Sequence, residues 1–257
     1  MPWVEFVSIA LAGVAAGMVN AVVGSGTLIT FPVLLAFGFS PVVANISNNI
    51  GLVPGGVTAT LGYREELEGQ GRRIRLLAPM SLVGAVAGAL LLLSLPAAAF
   101  ATIVPVLLGI ALVLVVAQPR MQSALAARRA IEPPSSGHGH QGLAMAGTFV
   151  AGVYGGYFGA AQGVLLVGLL GSLLPESLQR VNALKNVLSL IVNSVAALVF
   201  VSVARGNIDW LDVGLIAVGS LAGGYLGARF GRRLPGSLLR VLIVVVGVVA
   251  IIRVTSL

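Results

Sequence analysis

Apolar residues fill most of this chain in long runs that short polar stretches separate. Eight runs stand out, at 3–37, 41–63, 74–95, 97–117, 142–174, 178–204, 210–229 and 236–254. A helix that spans a bilayer needs about 20 apolar residues, and six of the eight runs fit a single crossing. The pattern predicts an all-α polytopic membrane protein of eight long helical segments.

The first and fifth segments are too long for one crossing, and each contains a glycine cluster. They run 35 and 33 residues and contain Gly24-Ser25-Gly26 and Gly159-Ala160-Ala161-Gln162-Gly163. Glycine inside a helix costs about 1 kcal/mol relative to alanine, and Pro32 follows the first cluster. We expect each segment to form a full helix, a break and a short second helix.

The longest polar stretch, residues 118–141, contains arginines, paired prolines and small residues. This composition is typical of a flexible linker. It divides the chain into a first membrane repeat, residues 1–117, and a second, residues 142–257.

The two halves resemble each other. Gly17 and Gly24 recur 135 residues later as Gly152 and Gly159. A second set recurs 137 residues later and pairs Gly26, Leu28, Asn45 and Asn49 with Gly163, Leu165, Asn182 and Asn186. The pattern indicates an internal duplication, and the alternative is a chance alignment of glycine-rich apolar sequence.

The arginines indicate how the two repeats are oriented. Four crossings per half would make the halves parallel and divide the arginines nine to five between the two sides. If each short second helix counts as a crossing, the halves are inverted and twelve arginines share one side, with Arg205 and Arg253 opposite. Short loops rich in Lys and Arg stay in the cytoplasm. We therefore predict pseudo-symmetric, inverted repeats with both termini outside, although the 11 residues 27–37 make only about 16 Å of helix.

Composition and charge exclude several classes of protein. The chain has no cysteine and only two histidines, and its eight acidic residues lie in loops or at segment ends. It therefore lacks the membrane-embedded acid–base pair that most hydrolases need, and we predict no enzyme, catalytic residue, metal site or cofactor. The same placement argues against a cation carrier and against proton coupling through a buried carboxylate. The net charge of +7 reflects cytoplasmic loops and not nucleic-acid binding.

The polar groups inside the apolar segments are amides, hydroxyls and one ammonium. Two sets follow the glycine breaks: Asn45, Ser47, Asn48 and Asn49 in the first half, and Asn182, Lys185 and Asn186 in the second. Spacings of three and four place each set on one helical face. Either these amides only join helices and Lys185, the single lysine, extends to the membrane interface, or they bind a substrate.

A short helix that starts at Thr27 or Val164 places unpaired N–H groups and a positive dipole end within the protein. Helix N-termini bind anions, and broken helices direct them at substrate in transporters. The alternative is that the glycines only allow close packing, which is our interpretation of Gly13/Gly17 and Gly219/Gly223. The predicted substrate-binding residues are Gly24, Ser25, Gly26, Thr27, Asn45, Asn48, Asn49, Gly159, Gln162, Gly163, Asn182, Lys185 and Asn186.

Three motifs resemble one known family. They are GMVNAVVGSGTL at 17–28 followed by Phe31-Pro32, PVVAN at 41–45, and NALKN at 182–186. Together they are similar to the TauE/SafE sulfite exporter family, over nearly the whole chain. The resemblance implies an integral membrane transporter of two repeats that moves sulfite, sulfonates or related small organic anions across the prokaryotic cytoplasmic membrane. The Leu234-Pro235 turn also resembles that family's last hairpin.

We therefore predict a secondary transporter of a small, sulfur-containing anion that works in the lipid bilayer by alternating access. The alternative is a membrane sensor or complex subunit without transport activity, whose polar faces hold a partner. A transporter should show a polar cavity near the midplane, and a subunit should have those faces sealed by side chains. Whether the chain forms a homo-oligomer is left open.

Overall fold

The computed structural model describes residues 3–131, 138–230, 241, 243–249 and 251, and over these ranges it is built of helices and their connections. Five of the described helices are long and apolar enough to cross a membrane, and they lie at Trp3–Val22, Gly71–Ser94, Ala97–Ala127, Leu178–Val203 and Trp210–Phe230. The expected all-helical membrane class is therefore confirmed.

The helices are α1 Trp3–Val22, α2 Thr27–Ala36, α3 Pro41–Gly51, α4 Val53–Gly62, α5 Gly71–Ser94, α6 Ala97–Ile131, α7 His138–Tyr157, α8 Gln162–Leu173, α9 Leu178–Val203 and α10 Trp210–Phe230. Two short 3-10 helices, Glu65–Leu67 and Arg205–Asn207, precede α5 and α10. The predicted last segment, 236–254, with its Leu234-Pro235 turn, falls mainly outside the described residues.

Both predicted helix breaks are present. The first lies between α1 and α2, where Gly24 has a φ of +86°. The second lies between α7 and α8, where Gly159 and Ala161 have φ values of +79° and +60°. A residue in this left-handed region ends a helix, and glycine adopts it without the steric cost that a Cβ imposes.

The second apolar segment differs from the single helix that its length predicts. It forms two helices, α3 and α4, that meet at Leu52. Pro54 lies in the first turn of α4. Proline has no N–H, and its ring clashes with the carbonyl four residues before it, so the helix cannot continue unchanged through this position.

The stretch 118–141 also differs from the flexible linker that we expect. The structure continues α6 to Ile131 and starts α7 at His138, so that only residues 132–137 lie outside the described residues. Alanine, leucine, arginine, methionine and glutamine dominate 120–131. These are strong helix formers, and over 120–131 they outweigh the arginines that suggested a linker. The paired prolines at 133 and 134 lie outside the described residues.

Glycines set the relative directions of the long helices. Gly13 of α1 packs on the backbone at Ile216 of α10, and Gly17 packs on Ser220, so that α1 and α10 run parallel in close contact. In the same way Gly84 of α5 packs on the backbone of Phe149 and Val153, and Gly88, one turn later, packs on the backbone of Val153 and Tyr157. The contacts advance in the same direction on both helices, so α5 and α7 run parallel. The small residues thus allow backbone-to-backbone packing, as their spacing predicts.

These directions define two faces of the protein. Helix α1 runs parallel to α10, and the Asp209 amide donates to Ser47 Oγ of α3 at 3.0 Å. The starts of α1, α3 and α10 therefore lie at one face, the N-terminal face. Helix α5 runs parallel to α7, and Gln70 Nε2 donates to the Arg180 carbonyl of α9 at 2.9 Å, so the starts of α5, α7 and α9 lie at the opposite face, the arginine face. Consequently α2 returns towards the face at which α1 begins, and α8 returns towards the face at which α7 begins.

The helix contacts predict which glycines of α10 tolerate a methyl group. A Cβ on Gly223 would overlap the carbonyl of Val14, whereas a Cβ on Gly214 would meet nothing within 4 Å. Gly223→Ala should lower the free energy of unfolding by about 1–3 kcal/mol through overpacking. The control, Gly214→Ala, should be neutral or up to about 1 kcal/mol more stable. Thermal unfolding in detergent compares them, and equal midpoints would contradict the close α1–α10 contact.

Candidate functional site at the two helix breaks

The two helix breaks touch each other through their backbones. The N–H of Gly163 donates to the carbonyl of Gly24 at 3.0 Å. A Cβ on Gly24 would lie only 2.6 Å from Gly163 Cα. Neither position therefore has room for a side chain, and both glycines are required for the contact.

Lys185 runs past this contact. Its Cδ would lie 3.1 Å from a Cβ on Gly24 and 2.7 Å from a Cβ on Gly163. The residue is 0% exposed, so it does not extend to the membrane interface. Its Nζ donates to the carbonyls of Asn20 at 2.9 Å and Ala21 at 3.5 Å. These carbonyls form the negative end of α1, where a cation is stabilising.

The amides of the second half bind the broken helix of the first half. Asn182 and Asn186 donate from Nδ2 to the Ala21 carbonyl at 3.2 and 3.3 Å. The reverse contact also exists, because Asn45 Nδ2 donates to the carbonyl of Tyr157, the last residue of α7, at 3.0 Å. Each amide set thus satisfies a carbonyl that the other half's broken helix leaves without an intrahelical partner.

Asn48 holds the start of α2. Its Nδ2 donates to Thr27 Oγ1 at 3.3 Å, and its Oδ1 accepts from the Thr30 hydroxyl. Thr30 was not predicted as a site residue, although its position three residues after Thr27 places both on one helical face. The neighbouring Asn49 is also buried, and its Oδ1 has no hydrogen-bond partner among the described residues.

Two buried donors at the starts of the short helices have no partner within the described part of the chain. They are the hydroxyl of Ser25, just before α2, and the Nε2 of Gln162, the first residue of α8. Gln162 lies against Gly155, whose missing side chain leaves room for the amide. Buried polar groups are almost always hydrogen-bonded, so donors left free at two helix starts are candidates to bind an acceptor.

In this conformation the predicted site is closed. Side chains and backbone fill the contact between the breaks, and nearly all of the predicted binding residues are buried. A cavity of about 320 Å³ lies instead near the arginine face, between α5, α7 and the end of α8, and Arg72, Arg73 and His140 contribute to its lining together with leucines. None of the thirteen predicted substrate-binding residues lines it.

Sequence reasoning also missed a buried acid. Asp212 is the third residue of α10 and is fully buried, with both carboxylate oxygens unpartnered in the described residues. Its place at the end of an apolar segment suggested a loop-side, solvated group. The signal that could have found it is Ser220, eight residues later on the same helical face and also buried.

Long apolar helices, together with two helix breaks that touch inside the protein, recur in integral membrane transporters. Comparison of the sequence with known protein families gives the same class of protein. Residues 9–254 match the family described as sulfite exporter TauE/SafE. The chain belongs to this family and is a membrane transporter of the TauE/SafE type.

Two curated relatives support the assignment to a transporter family. The chain is 28% identical to "Probable membrane transporter protein YfcA" of Escherichia coli (strain K12) over 240 residues, which cover 91% of this chain and 83% of that protein. It is 25% identical over 236 residues to a "Probable membrane transporter protein" of Haemophilus influenzae, covering 91% of this chain and 88% of the relative. No solved structure gives a significant match.

The cross-half amide contacts predict unequal effects of two similar substitutions. Asn45→Ala removes the side-chain donor to Tyr157, whereas Asn182→Ala leaves Lys185 and Asn186 on the Ala21 carbonyl. Asn45→Ala should therefore lower stability by about 1–3 kcal/mol, the cost of an unsatisfied buried group, and Asn182→Ala by less. Thermal unfolding measures both, with the exposed Asn207→Ala as control. A larger loss for Asn182→Ala would contradict this account.

Proposed function

We propose that this protein carries a small anion, sulfite or an organosulfonate, across the prokaryotic cytoplasmic membrane by alternating access. In this proposal the anion binds where the two helix breaks meet. The observation that carries it is Lys185, a fully buried cation beside Gly24 and Gly163. The description of its family as sulfite exporters supports the choice of anion.

The argument from Lys185 is electrostatic. The carbonyls of Asn20 and Ala21 accept hydrogen bonds from its ammonium group, but they carry no net negative charge. The ion pairs among the described residues join Glu176 to Arg73 and Arg180, and none reaches Lys185. A buried cation without a counter-ion is costly and marks a functional site by default, and a visiting anion would neutralise it.

The surroundings of Lys185 fit an oxyanion. Ser25 and Gln162 offer buried donors that have no partner in the described residues. The start of α2 has no side-chain cap. The N–H groups of Leu28 and Ile29 donate to the carbonyls of Ser25 and Gly26, so this end adds its helix dipole to the same positive field. Sulfite and sulfonates present several oxygens, which would accept from donors that come from different directions. Gly26, Thr27, Gly159 and the two asparagine sets hold these helix ends in position.

We further propose that the chain is an inverted repeat. Asn45 caps α7 while its sequence counterpart Asn182 caps α1, and the two halves begin at opposite faces. Inverted repeats with broken helices are a recurrent plan for alternating access. Separation of the Gly24–Gly163 contact would open the closed site, and the cavity at Arg72 and Arg73 would serve as its entrance from the arginine face.

One observation favours a second candidate, a membrane sensor or subunit without transport activity. The asparagine faces are sealed by contacts within the chain, as that alternative predicts. In a transporter the same contacts belong to a closed state, which a substrate must be able to open. Ligand binding therefore distinguishes the two functions.

A thermal-shift series tests the anion site. Sulfite is added to purified protein, and sulfate, thiosulfate, sulfonates and carboxylates are added to parallel samples. A ligand at 100 times its Kd should stabilise the native state by about 2.7 kcal/mol. Lys185→Ala should abolish this shift, and Lys185→Arg should fail as well, because a flat guanidinium does not replace a compact ammonium. Arg205→Ala, on the N-terminal face, should keep the full shift.

The shift, and not the unfolding midpoint itself, is the quantity compared, because Lys185 also caps α1 and its loss lowers the midpoint without any ligand. Equal shifts in wild type and Lys185→Ala would remove Lys185 from the site. Wild-type protein that responds to none of these anions would favour the sensor or subunit.

Orientation in the membrane has its own test, since the chain contains no cysteine. Glu68 and Gly206 are both exposed, the first near the arginine face and the second near the N-terminal face. The positive-inside rule predicts that Glu68→Cys is shielded from a membrane-impermeant thiol reagent in intact cells and that Gly206→Cys is labelled. The opposite pattern would overturn the proposed orientation with both termini outside.

A further inference from the structure

Asp212 is a buried carboxylate that the proposed anion site does not use. It is 0% exposed, and neither carboxylate oxygen has a hydrogen-bond partner in the described part of the chain. Its own backbone N–H donates to Asp209 Oδ1 at 3.1 Å, which starts α10. An ionised carboxylate in such a place has lost its hydration and accepts no hydrogen bond from the described residues in exchange, which is costly.

The surroundings of Asp212 are small and tightly packed. Asp212, Ile216 and Ser220 lie four residues apart on one face of α10. Ser220 Oγ donates to the Gly51 carbonyl at 2.8 Å. A Cβ on Gly51 would also meet Ile216, which lies one helical turn closer to Asp212. By this register Asp212 lies beside Ser47, close to the N-terminal face. Gly13 of α1 packs at Ile216 as well, so α1, α3 and α10 meet one helical turn from Asp212.

No cation on these helices neutralises Asp212. Among its neighbours α3 and α4 carry no ionisable residue, and α1 carries only Glu5. Asp209 is a further acid, and its Oδ1 accepts the amides of Leu211 and Asp212. Arg205 donates back to the Val201 carbonyl, and Arg229 lies 17 residues along α10, about 25 Å away. Glu5 and Asp209 bring further negative charge to this end of the protein and no positive charge.

We propose that Asp212 is a proton-binding site, and that it couples transport to the movement of a proton. A lone buried carboxyl suits a proton better than a metal ion, because the described residues contain no group of three or more acids, histidines or cysteines that could hold a metal. The sequence predicts a solvated segment end here and no role in proton coupling, whereas the structure buries the carboxyl.

Helix α3 connects this carboxyl to the anion site. Its Ser47 binds the start of α10 next to Asp212, and its Asn45 and Asn48 bind α7 and α2 at the helix breaks. Loss of the proton leaves a charge that requires water, and water can enter only if α3 and α10 separate. That movement would pull Asn45 away from Tyr157. This coupling, though not the protonation of Asp212 itself, rests on the proposed anion transport.

The first test needs no substrate. Native Asp212 holds a proton that the unfolded chain releases above about pH 4, so native protein binds more protons and its stability must fall as pH rises from 5 to 8. The unfolding midpoint of wild type should fall over this range. Asp212→Asn, neutral and of the same shape, should show a slope smaller by about one proton. Glu65→Gln, which alters an exposed acid at the arginine face, should keep the wild-type slope.

Parallel slopes for wild type and Asp212→Asn would overturn the proposal. If Asp212→Asn does not fold, a hydrophobic carbodiimide, which reacts with protonated carboxyls in apolar surroundings, is applied to wild type. Modification of Asp212, located by mass spectrometry, should be strong at pH 5 and weaker at pH 8, and an unmodified Asp212 would refute the assignment. Stabilisation of wild type by sodium at constant pH that is lost in Asp212→Asn would make this a metal-cation site and would overturn the assignment to a proton.

The second test measures coupling. Wild-type protein is reconstituted in liposomes that contain a pH-sensitive dye, and an inward gradient of a radiolabelled organosulfonate is applied, because this anion does not itself bind or release protons near neutral pH. Uptake of label should be accompanied by a change of internal pH, and Asp212→Asn should abolish this proton movement while Glu65→Gln retains it. Uptake of label with equal proton flux in wild type and Asp212→Asn would overturn the coupling. If wild type moves neither this anion nor sulfite, the proposed function fails, whereas the pH dependence of stability still decides the protonation of Asp212.

Discussion

Two helices of this protein end in its interior, and the need to satisfy their last carbonyls shapes the rest of the structure. Helix α1 ends at Val22 and α7 at Tyr157, where no water is available to replace the missing intrahelical bonds. The chain solves this with side chains from the opposite half: Lys185, Asn182 and Asn186 for α1, and Asn45 for α7. Neither half can therefore form its broken helix properly without the other, and the two halves form one folding unit.

The same contacts explain why the family's motifs lie where they do. The NALKN and PVVAN motifs supply the capping amides, and the glycine cluster supplies a backbone thin enough for the breaks to meet. The residues by which the family is recognised are thus the residues that cap the broken helices and let the two breaks meet. This arrangement leaves the buried amine of Lys185 beside the two breaks, which is the reason to look for an anion there.

Sequence reasoning succeeded where a local pattern has one structural meaning. Twenty or more apolar residues in a row give a membrane-length helix, and glycine clusters inside an overlong segment give a break. It failed where two local signals compete. Pro54 divided a segment of ordinary length, and the helix formers of 120–131 prevailed over the arginines among them. The side-chain face of an asparagine set was predictable, but its partner, the end of a helix more than 100 residues away, was not.

The two breaks are not mechanically equivalent. The first contains two glycines around Ser25, and Gly24 adopts its left-handed conformation without strain. The second places Ala161 at a φ of +60°, a conformation that costs an L-residue about 1–2 kcal/mol. The strain at Ala161 is held in place by its surroundings, and no comparable strain exists at Gly24. The second break is therefore the stressed member of the pair: a rearrangement that lets Ala161 leave the left-handed region recovers this energy, whereas a rearrangement at Gly24 recovers none.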